Sequence, residues 1–258
     1  MMPLTRLPVL IALLILLAAP AAAQTRPQIL QPEIIATYPH DTQAFTQGLS
    51  IIDGQVLEST GQYGRSSLRR ADLETGEILQ RIALPDDIFG EGSVRLGDEI
   101  FVLSWQAQTG FIYDATSFEE VDRFTYPGQG WGLTSDGSEL IMSDGTANLR
   151  FLDPQSMQLT RELTATLNGR PVRNLNELEW IEGEIWANVW MTNQIVIINP
   201  ESGEISRVLD LRHAIPAGYE NDREAVLNGI AYDADTGRIF ITGKLWPVLH
   251  EIALPAAE

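Results

Sequence analysis

The segment Phe45-Thr46-Gln47-Gly48-Leu49 is the first of five similar segments that recur along the chain. The other four are Phe89-Gly90-Glu91-Gly92-Ser93, Gln129-Gly130-Trp131-Gly132-Leu133, Leu175-Asn176-Glu177-Leu178 and Leu227-Asn228-Gly229-Ile230. Aligned on the glycine, which Glu177 replaces in the fourth copy, the segments follow one another at intervals of about 40 to 50 residues. A period of this length is typical of the blades of a β-propeller.

Each segment begins a unit of short predicted strands, separated by turn signals such as Asp53-Gly54 and Glu182-Gly183. The fifth unit ends one strand short, whereas one predicted strand, residues 29–38, precedes the first unit. We expect this strand to complete the last blade, because its pairing there removes an open sheet edge. The predicted fold class is therefore all-β, a five-bladed β-propeller closed by an N-terminal strand. A β-sandwich or a pair of small barrels is the alternative, and neither explains the period.

Residues 1–23 are predicted to be a secretory signal peptide. Arg6 supplies a positive charge, residues 9–19 form an apolar run, and Ala21-Ala22-Ala23 is a small-residue cleavage signal. Cleavage would leave residues 24–258 as a single propeller domain that is periplasmic or secreted. An uncleaved membrane anchor is the alternative, although the apolar run is short for a membrane span.

The composition makes several classes of partner and cofactor poor candidates. The net charge is −18 at pH 7, which disfavours binding to nucleic acids and to anionic membrane surfaces. The chain has no cysteine, and its three histidines, His40, His213 and His250, lack the close spacing of zinc ligands. We expect a protein without a cofactor that is a monomer and does not bind membranes once the signal peptide is removed.

In a propeller blade, the start of the innermost strand and the end of the second strand open onto the same face of the ring. The residues at these places are polar or aromatic: Phe45, Gln47, Phe89, Glu91, Trp131, Asn176 and Asn228 from first strands, and Trp105, Asp144, Trp190 and Lys244 from second strands. Aromatic walls with a few convergent polar groups are typical of small-ligand sites. The sequence therefore predicts a ligand-binding funnel on one face.

Two funnel residues are candidates for acid–base and charge-stabilising chemistry. Glu91 lies between two glycines and among aromatic residues, a setting that raises a carboxyl pKa and suits a proton shuttle. A structural ion pair with Arg95 is the alternative. Lys244 is the only lysine beside sixteen arginines, which indicates a need for a compact ammonium group. The alternative is a chance position on the rim.

Some aromatic and acidic residues of these segments have simpler structural interpretations. Trp180 and Trp186 are predicted to lie in the core or between blades. Asp144 precedes a glycine and is better explained as a turn residue. A functional role for Trp105, Trp131 and Trp190 depends on the repeat, which places all three on one face.

Taken together, the motifs resemble those of the plant and bacterial type of glutaminyl cyclase (glutaminyl-peptide cyclotransferase). Besides the five segments, the resemblance rests on Trp186-Ala187-Asn188-Val189-Trp190 and Thr242-Gly243-Lys244-Leu245-Trp246-Pro247, and it covers nearly the whole chain after the signal peptide. It implies a five-bladed propeller without catalytic zinc. It also implies cyclisation of an N-terminal glutamine, in peptides or proteins, to pyroglutamate with loss of ammonia.

The resemblance further implies roles for individual residues. Glu91 resembles the acid/base of the family, which transfers a proton from the attacking amine to the departing ammonia. Lys244 and Asn176, together with Gln47, are then expected to hydrogen-bond the γ-carboxamide oxygen as charge develops on it. The substrate-binding walls would be Phe45, Phe89, Trp105, Trp131 and Trp190.

Two other functions remain open at this point. In a calcium-dependent, lactonase-like propeller, Glu91, Asn176 and Asn228 would supply the oxygen ligands that calcium prefers. An ammonium such as that of Lys244 would repel the cation, which argues against this function. A non-catalytic propeller that binds peptide ends with the same aromatic walls is the second alternative.

Overall fold

The computed structural model describes residues 27–255, which form a closed ring of five blades. The innermost strands of successive blades contact one another around the whole ring, and the last of them contacts the first. The five-bladed propeller predicted from the motif period is thereby confirmed, and a sandwich or a pair of barrels is wrong. The predicted signal peptide lies outside the described residues. Within the described range, no helix is both long and apolar enough to cross a bilayer.

The first three blades are four-stranded antiparallel sheets, numbered from the axis outwards in chain order. Blade 1 contains β3 (Thr46–Ile52), β4 (Gln55–Thr60), β5 (Ser67–Asp72) and β6 (Ile78–Ala83). Blade 2 contains β7 (Gly90–Leu96), β8 (Glu99–Ser104), β9 (Thr109–Asp114) and β10 (Glu120–Thr125). Blade 3 contains β11 (Leu133–Ser135), β12 (Leu140–Met142), β13 (Asn148–Leu152) and β14 (Leu159–Thr164). A small hairpin of β15 (Thr166–Leu167) and β16 (Arg170–Pro171) leads to blade 4.

The last two blades include the N-terminal strands, β1 (Gln28–Leu30) and β2 (Glu33–Pro39). Blade 4 contains β17 (Leu175–Ile181), β18 (Glu184–Val189), β19 (Gln194–Ile198) and β20 (Ile205–Asp210), with β1 added in parallel to β20. A 3₁₀ helix, Arg212–Ala214, follows. Blade 5 contains β21 (Leu227–Asp233), β22 (Arg238–Gly243) and β23 (Val248–Ala253), and β2 pairs with β23 as its outermost strand.

The N-terminal segment closes the ring as predicted, but it forms two strands where the sequence predicted one. Residues 28–30 pair with blade 4, and only residues 33–39 complete blade 5. Pro32 lies between the two strands. Since proline has no amide hydrogen to donate to a sheet, it separates the two pairings.

Apolar side chains fill the space between neighbouring blades. One cluster joins Leu49 of blade 1 to Phe240 of blade 5, and another joins Phe151 of blade 3 to Leu178 of blade 4. Trp186 is almost fully buried in the core, and the partly buried Trp180 packs against the cluster that joins blades 3 and 4, as predicted. The blades therefore stabilise one another around the ring.

The repeated segment forms a β-bulge in the innermost hairpin of four blades. One extra residue interrupts the pairing between Thr46 and Gly48, and equivalent shifts lie in β7, β17 and β21. A bulge turns side chains away from the regular alternation of a strand and is common next to active sites. The glycine is needed because the strands are so close at the axis: a Cβ at Gly132 would overlap the backbone carbonyl of Asn176.

Glu177, which replaces the glycine in the fourth copy, joins blades across the axis. Its Oε1 accepts a hydrogen bond from the amide of Leu49 (3.2 Å), and its Oε2 accepts one from the amide of Ile230 (2.9 Å). Two residues later, Glu179 accepts a hydrogen bond from the amide of Tyr232 (2.9 Å). Burial raises the pKa of both carboxyls, that of Glu179 to about 8. The fourth copy thus has a structural role at the axis.

A buried charged cluster ties the N-terminal segment to blade 1, next to the closure of the ring. Arg69 donates two hydrogen bonds to Glu58 Oε2, at 2.8 and 2.5 Å, and one to Asp41 (2.7 Å). The ring of His40 lies 3.2 Å from the other oxygen of Glu58 and 2.8 Å from the carbonyl of Trp246. Burial opposes ionisation of Glu58, but the charges of Arg69 and His40 outweigh it and lower its pKa to about 2.

We expect Arg69→Met to lower the free energy of unfolding by about 3 kcal/mol, because it leaves the Glu58 carboxylate buried without its cation. Denaturant unfolding of the purified protein measures this change. Arg95→Met is the matched control: Arg95 pairs with the exposed Asp53 at 3.3 Å, and such surface pairs contribute roughly 1 kcal/mol or less. Equal destabilisation of the two variants would contradict a structural role of the cluster.

Candidate active site

One face of the ring opens into a cavity of about 520 Å³. It is lined by all nine residues predicted to be catalytic or substrate-binding: Glu91, Lys244, Asn176, Phe45, Gln47, Phe89, Trp105, Trp131 and Trp190. Met191, Arg223 and Glu224 complete the lining. The structure therefore brings together side chains from all five blades that are up to about 200 residues apart in the sequence.

Two local features of the blades place these side chains. Gln47, Glu91 and Asn176 lie within the bulges of the innermost strands. Trp105, Trp190 and Lys244 each follow the last residue of a second strand, namely β8, β18 and β22. The two sets meet because paired antiparallel strands bring the start of one strand beside the end of the other.

Glu91 is a buried carboxyl group, about 5% exposed, that lines the cavity. Burial raises its pKa well above the usual range, and the charge of Lys244 only partly opposes this. The structural pairing with Arg95 does not occur, since Arg95 binds Asp53 and the carbonyl of Gly97. A carboxyl with a raised pKa, free of an arginine, is suited to exchanging protons near neutral pH.

Lys244 brings a buried ammonium group to the same cavity and is only about 4% exposed. Burial lowers its pKa to about 8, while the nearby Glu91 carboxyl acts in the opposite direction. Its Nζ lies 4.6 Å from the centre of the Phe45 ring, a cation–π distance. Because its backbone amide binds the carbonyl of Val226 at 2.9 Å, the loop that carries Lys244 is anchored.

Two carboxamides complete the polar part of the lining. The side-chain oxygen of Gln47 accepts a hydrogen bond from Asn228 Nδ2 (3.3 Å), so the amide N–H groups of Gln47 remain to bind a ligand. Asn176 is buried, and its main-chain carbonyl accepts a hydrogen bond from the Ser143 hydroxyl (2.7 Å). Its side-chain oxygen has no hydrogen-bond partner within residues 27–255. The two carboxamides therefore offer a ligand the donor N–H groups of Gln47 and an unpartnered acceptor oxygen on Asn176.

Half-buried aromatic rings form the walls in two groups. In the first group, Phe89 meets both Phe45 and Trp105 edge to face, with ring centres 6.0 and 5.7 Å apart. In the second, Trp131 and Trp190 are 5.5 Å apart and nearly perpendicular. Edge-to-face packing of this kind stabilises aromatic pairs and limits their movement. The cavity thus has apolar walls of restricted mobility around a few polar groups.

Two residues that the sequence predicted at the funnel do not line the cavity. Asn228 is fully buried below Gln47, where its Nδ2 also binds the carbonyl of Thr46 (2.9 Å). Asp144 accepts hydrogen bonds from the amide and hydroxyl of Thr146, at 2.9 and 2.6 Å, in a turn. The turn interpretation of Asp144 is confirmed, and Asn228 supports a lining residue instead of belonging to the lining.

Three lining residues were not predicted. Met191 directly follows Trp190, so its position just after a second strand could have predicted that it lines the cavity. Arg223 and Glu224 lie in the connection between blades 4 and 5, which the blade repeat does not include. Both are exposed, and they put one positive and one negative charge at the mouth of the cavity.

The proposed calcium ligands are not brought together, because Asn228 does not reach the cavity that Glu91 and Asn176 share. Within residues 27–255, no group of three or more histidine or acidic side chains is arranged to hold a metal ion. The buried polar groups of the cavity are therefore one carboxyl, one ammonium and two carboxamides, and the exposed Arg223 and Glu224 add one charge of each sign.

Known proteins match both this sequence and this fold. A family model described as glutamine cyclotransferase matches residues 7–254. The chain is 43% identical over 237 residues to a glutaminyl-peptide cyclotransferase of Arabidopsis thaliana, covering 90% of this chain and 73% of that protein. The chain belongs to the glutamine cyclotransferase family. The resemblance inferred from the motifs is thereby confirmed.

A solved structure supports the same membership. The glutaminyl cyclase of Myxococcus xanthus superposes with a TM-score of 0.84 at 37% sequence identity, covering 90% of this chain and all of that one. All twelve lining residues lie within the stretch matched by the glutamine cyclotransferase model. The roles of the individual lining residues stay predictions.

Proposed function

We propose that this protein is a glutaminyl-peptide cyclotransferase, which converts the N-terminal glutamine of peptides or proteins to pyroglutamate and releases ammonia. The observation that carries this proposal is that the buried carboxyl of Glu91 and the buried ammonium of Lys244 line one aromatic-walled cavity. The names of the family, of the plant relative and of the bacterial structure support it.

The reaction requires the glutamine side chain to fold back onto its own α-amine. The amine nitrogen attacks the γ-carboxamide carbon, a tetrahedral intermediate forms, and the bond to the amide nitrogen then breaks. A bound conformer with the reacting atoms in contact removes much of the entropic cost of this ring closure. We assign this positioning to Phe45, Phe89 and the three wall tryptophans.

Glu91 is assigned the proton transfer. Its carboxylate takes a proton from the attacking amine and returns it to the carboxamide nitrogen, which leaves as ammonia. The carboxylate is regenerated, so atoms and protons balance over one turnover. A carboxyl whose pKa is raised by burial accepts and returns a proton more readily near neutral pH than an exposed one.

We assign the stabilisation of the substrate's carboxamide oxygen to Lys244, Asn176 and Gln47. Negative charge develops on this oxygen in the tetrahedral intermediate, and donors that already point at it stabilise the transition state. The Lys244 ammonium is about 4% exposed, and electrostatic effects are stronger at a buried position than in water. The two carboxamides add neutral donors.

The test is ammonia release from a Gln-initiated dipeptide by purified protein, with and without a chelator. We expect one ammonia per pyroglutamyl product, no effect of the chelator, and no release from the same peptide acetylated at its α-amine. Tight binding without release would overturn the proposal in favour of a peptide-binding propeller. Loss of activity with the chelator would overturn the metal-free mechanism.

We also propose that the protein acts in the periplasm or outside the cell. The support is the signal-peptide pattern of residues 1–23, and the expected substrates are exported peptides that begin with glutamine. Fractionation of the producing cells, followed by intact-mass measurement of the purified chain, tests this. A cytoplasmic protein that retains these residues would contradict it.

A further inference from the structure

The side chain of Gln129 connects the two aromatic groups that wall the cavity. Its Oε1 accepts a hydrogen bond from Trp105 Nε1 (2.8 Å) and another from Trp131 Nε1 (2.9 Å). Trp105 belongs to the group with Phe45 and Phe89, whereas Trp131 belongs to the pair with Trp190. Because an indole nitrogen can only donate, the amide oxygen of Gln129 must face both tryptophans.

The backbone of Gln129 is itself held in place. Arg150, about 8% exposed, donates hydrogen bonds to the carbonyls of Pro127 (2.7 Å) and Gln129 (2.9 Å). Asp144 lies 3.7 Å from the same guanidinium. A buried arginine therefore fixes the loop from which the Gln129 side chain reaches the indoles, and Gln129 does not line the cavity itself.

We propose that Gln129 is a positioning residue, whose single amide oxygen sets the orientation of two walls that come from different blades. This inference rests on the proposed cyclotransferase function. With both indole N–H groups bound to Gln129, Trp105 and Trp131 present carbon surface to the substrate. Neither indole then competes with Lys244 for the carboxamide oxygen.

Loss of this link is expected to reduce turnover more than substrate binding. Without a shared acceptor, the two aromatic groups move independently, and the cavity admits extended glutamine conformers as well as the folded one. The folded conformer loses the binding that the fixed walls give it, and extended conformers that do not react bind in its place. Total binding is then nearly constant, so kcat falls while KM changes little. Proton transfer is unaffected, so the pH profile keeps its shape.

The test compares Gln129→Leu, which has no acceptor, with Gln129→Glu, which keeps one. We expect Gln129→Leu to lower kcat by about tenfold or more, with KM within about threefold of the wild type, since small misplacements of reacting groups have effects of this size. Gln129→Glu should recover most of kcat. Gln106→Leu is the matched control, because Gln106 is exposed beside Trp105 and should leave both constants unchanged.

Nitrogen-15 spectra of the indole N–H groups provide a second readout, with Trp105→Phe and Trp131→Phe used for assignment. We expect these two signals to shift and to lose protection from exchange in Gln129→Leu, but to stay protected in Gln129→Glu. If Gln129→Leu does not fold, Gln129→Asn, which is one methylene shorter, takes its place. Unchanged indole signals or an unchanged kcat in Gln129→Leu would overturn the proposal.

The two readouts separate this inference from the proposed function. A wild-type protein that releases no ammonia would refute the cyclotransferase function, and the indole spectra would still decide whether Gln129 holds the two tryptophans. Normal ammonia release by Gln129→Leu would refute the positioning role and leave the function intact.

Discussion

Glu91→Gln is expected to abolish nearly all ammonia release while the protein folds normally. The substitution keeps the shape of the side chain and removes the group that accepts and returns the proton. General acid–base catalysis contributes about 100- to 10,000-fold, so kcat should fall by at least about 100-fold. Steady-state assays on Gln-initiated dipeptides measure this loss, and KM should change little.

The stability of this variant separates chemistry from folding. Because Glu91 is buried with a raised pKa, a neutral glutamine in its place should not destabilise the blade, and thermal unfolding should show an unchanged or higher midpoint. Glu99→Gln, at an exposed position in the same blade, is the matched control and should keep full activity. A Glu91→Gln variant with more than about a tenth of the wild-type rate would refute the shuttle role.

Lys244→Met is expected to lower kcat by about 100- to 1,000-fold, the usual effect of removing one donor to a developing oxyanion. The wild-type kcat should also decline above about pH 8, because Lys244 loses its proton there and with it the charge that stabilises the intermediate. That alkaline decline should be absent from Lys244→Met. Lys244→Arg should retain its charge at high pH but recover only part of the rate, since a guanidinium fork differs in shape from an ammonium.

The sequence offers a direct measurement of this pKa, because Lys244 is the only lysine of the chain. Reductive methylation with a carbon-13 label therefore marks this side chain and the N-terminal amine alone. We expect the Lys244 signal to titrate near pH 8 and to be protected by substrate. Titration above about pH 10, as for an exposed lysine, would contradict a buried ammonium beside Glu91.

Most of the cavity was predictable because its residues sit at repeated positions. A glycine or polar residue at the start of each innermost strand, and a tryptophan or lysine at the end of a second strand, recur with the blade period. Given the propeller, antiparallel pairing of those two strands is enough to place Gln47, Glu91 and Lys244 on one face. Of the eleven residues placed on that face in this way, nine line the cavity, and Asn228 and Asp144 do not.

The residues missed by the pattern are held by contacts that the repeat does not contain. Arg223 and Glu224 reach the mouth from a connection between blades. Gln129 was visible in the third segment, but its role depends on two indoles from neighbouring blades meeting at one oxygen atom. Proximity of this kind is set by how blades pack against each other.

The sequence by itself determined the number of blades, the closing of the ring near its N-terminal strand and the face that carries the site. Hairpin turns and axial glycines are requirements of the local backbone, so their period is visible in the chain. Only the tertiary structure decided which of two equivalent residues enters the cavity. Glu91 and Asn228 both lie in bulges, yet Asn228 is turned beneath Gln47 because the adjacent blade offers it the Thr46 carbonyl. A buried polar group forms its hydrogen bond with whichever partner the packing brings close. For Asn228 that partner is Thr46, 182 positions away in the sequence.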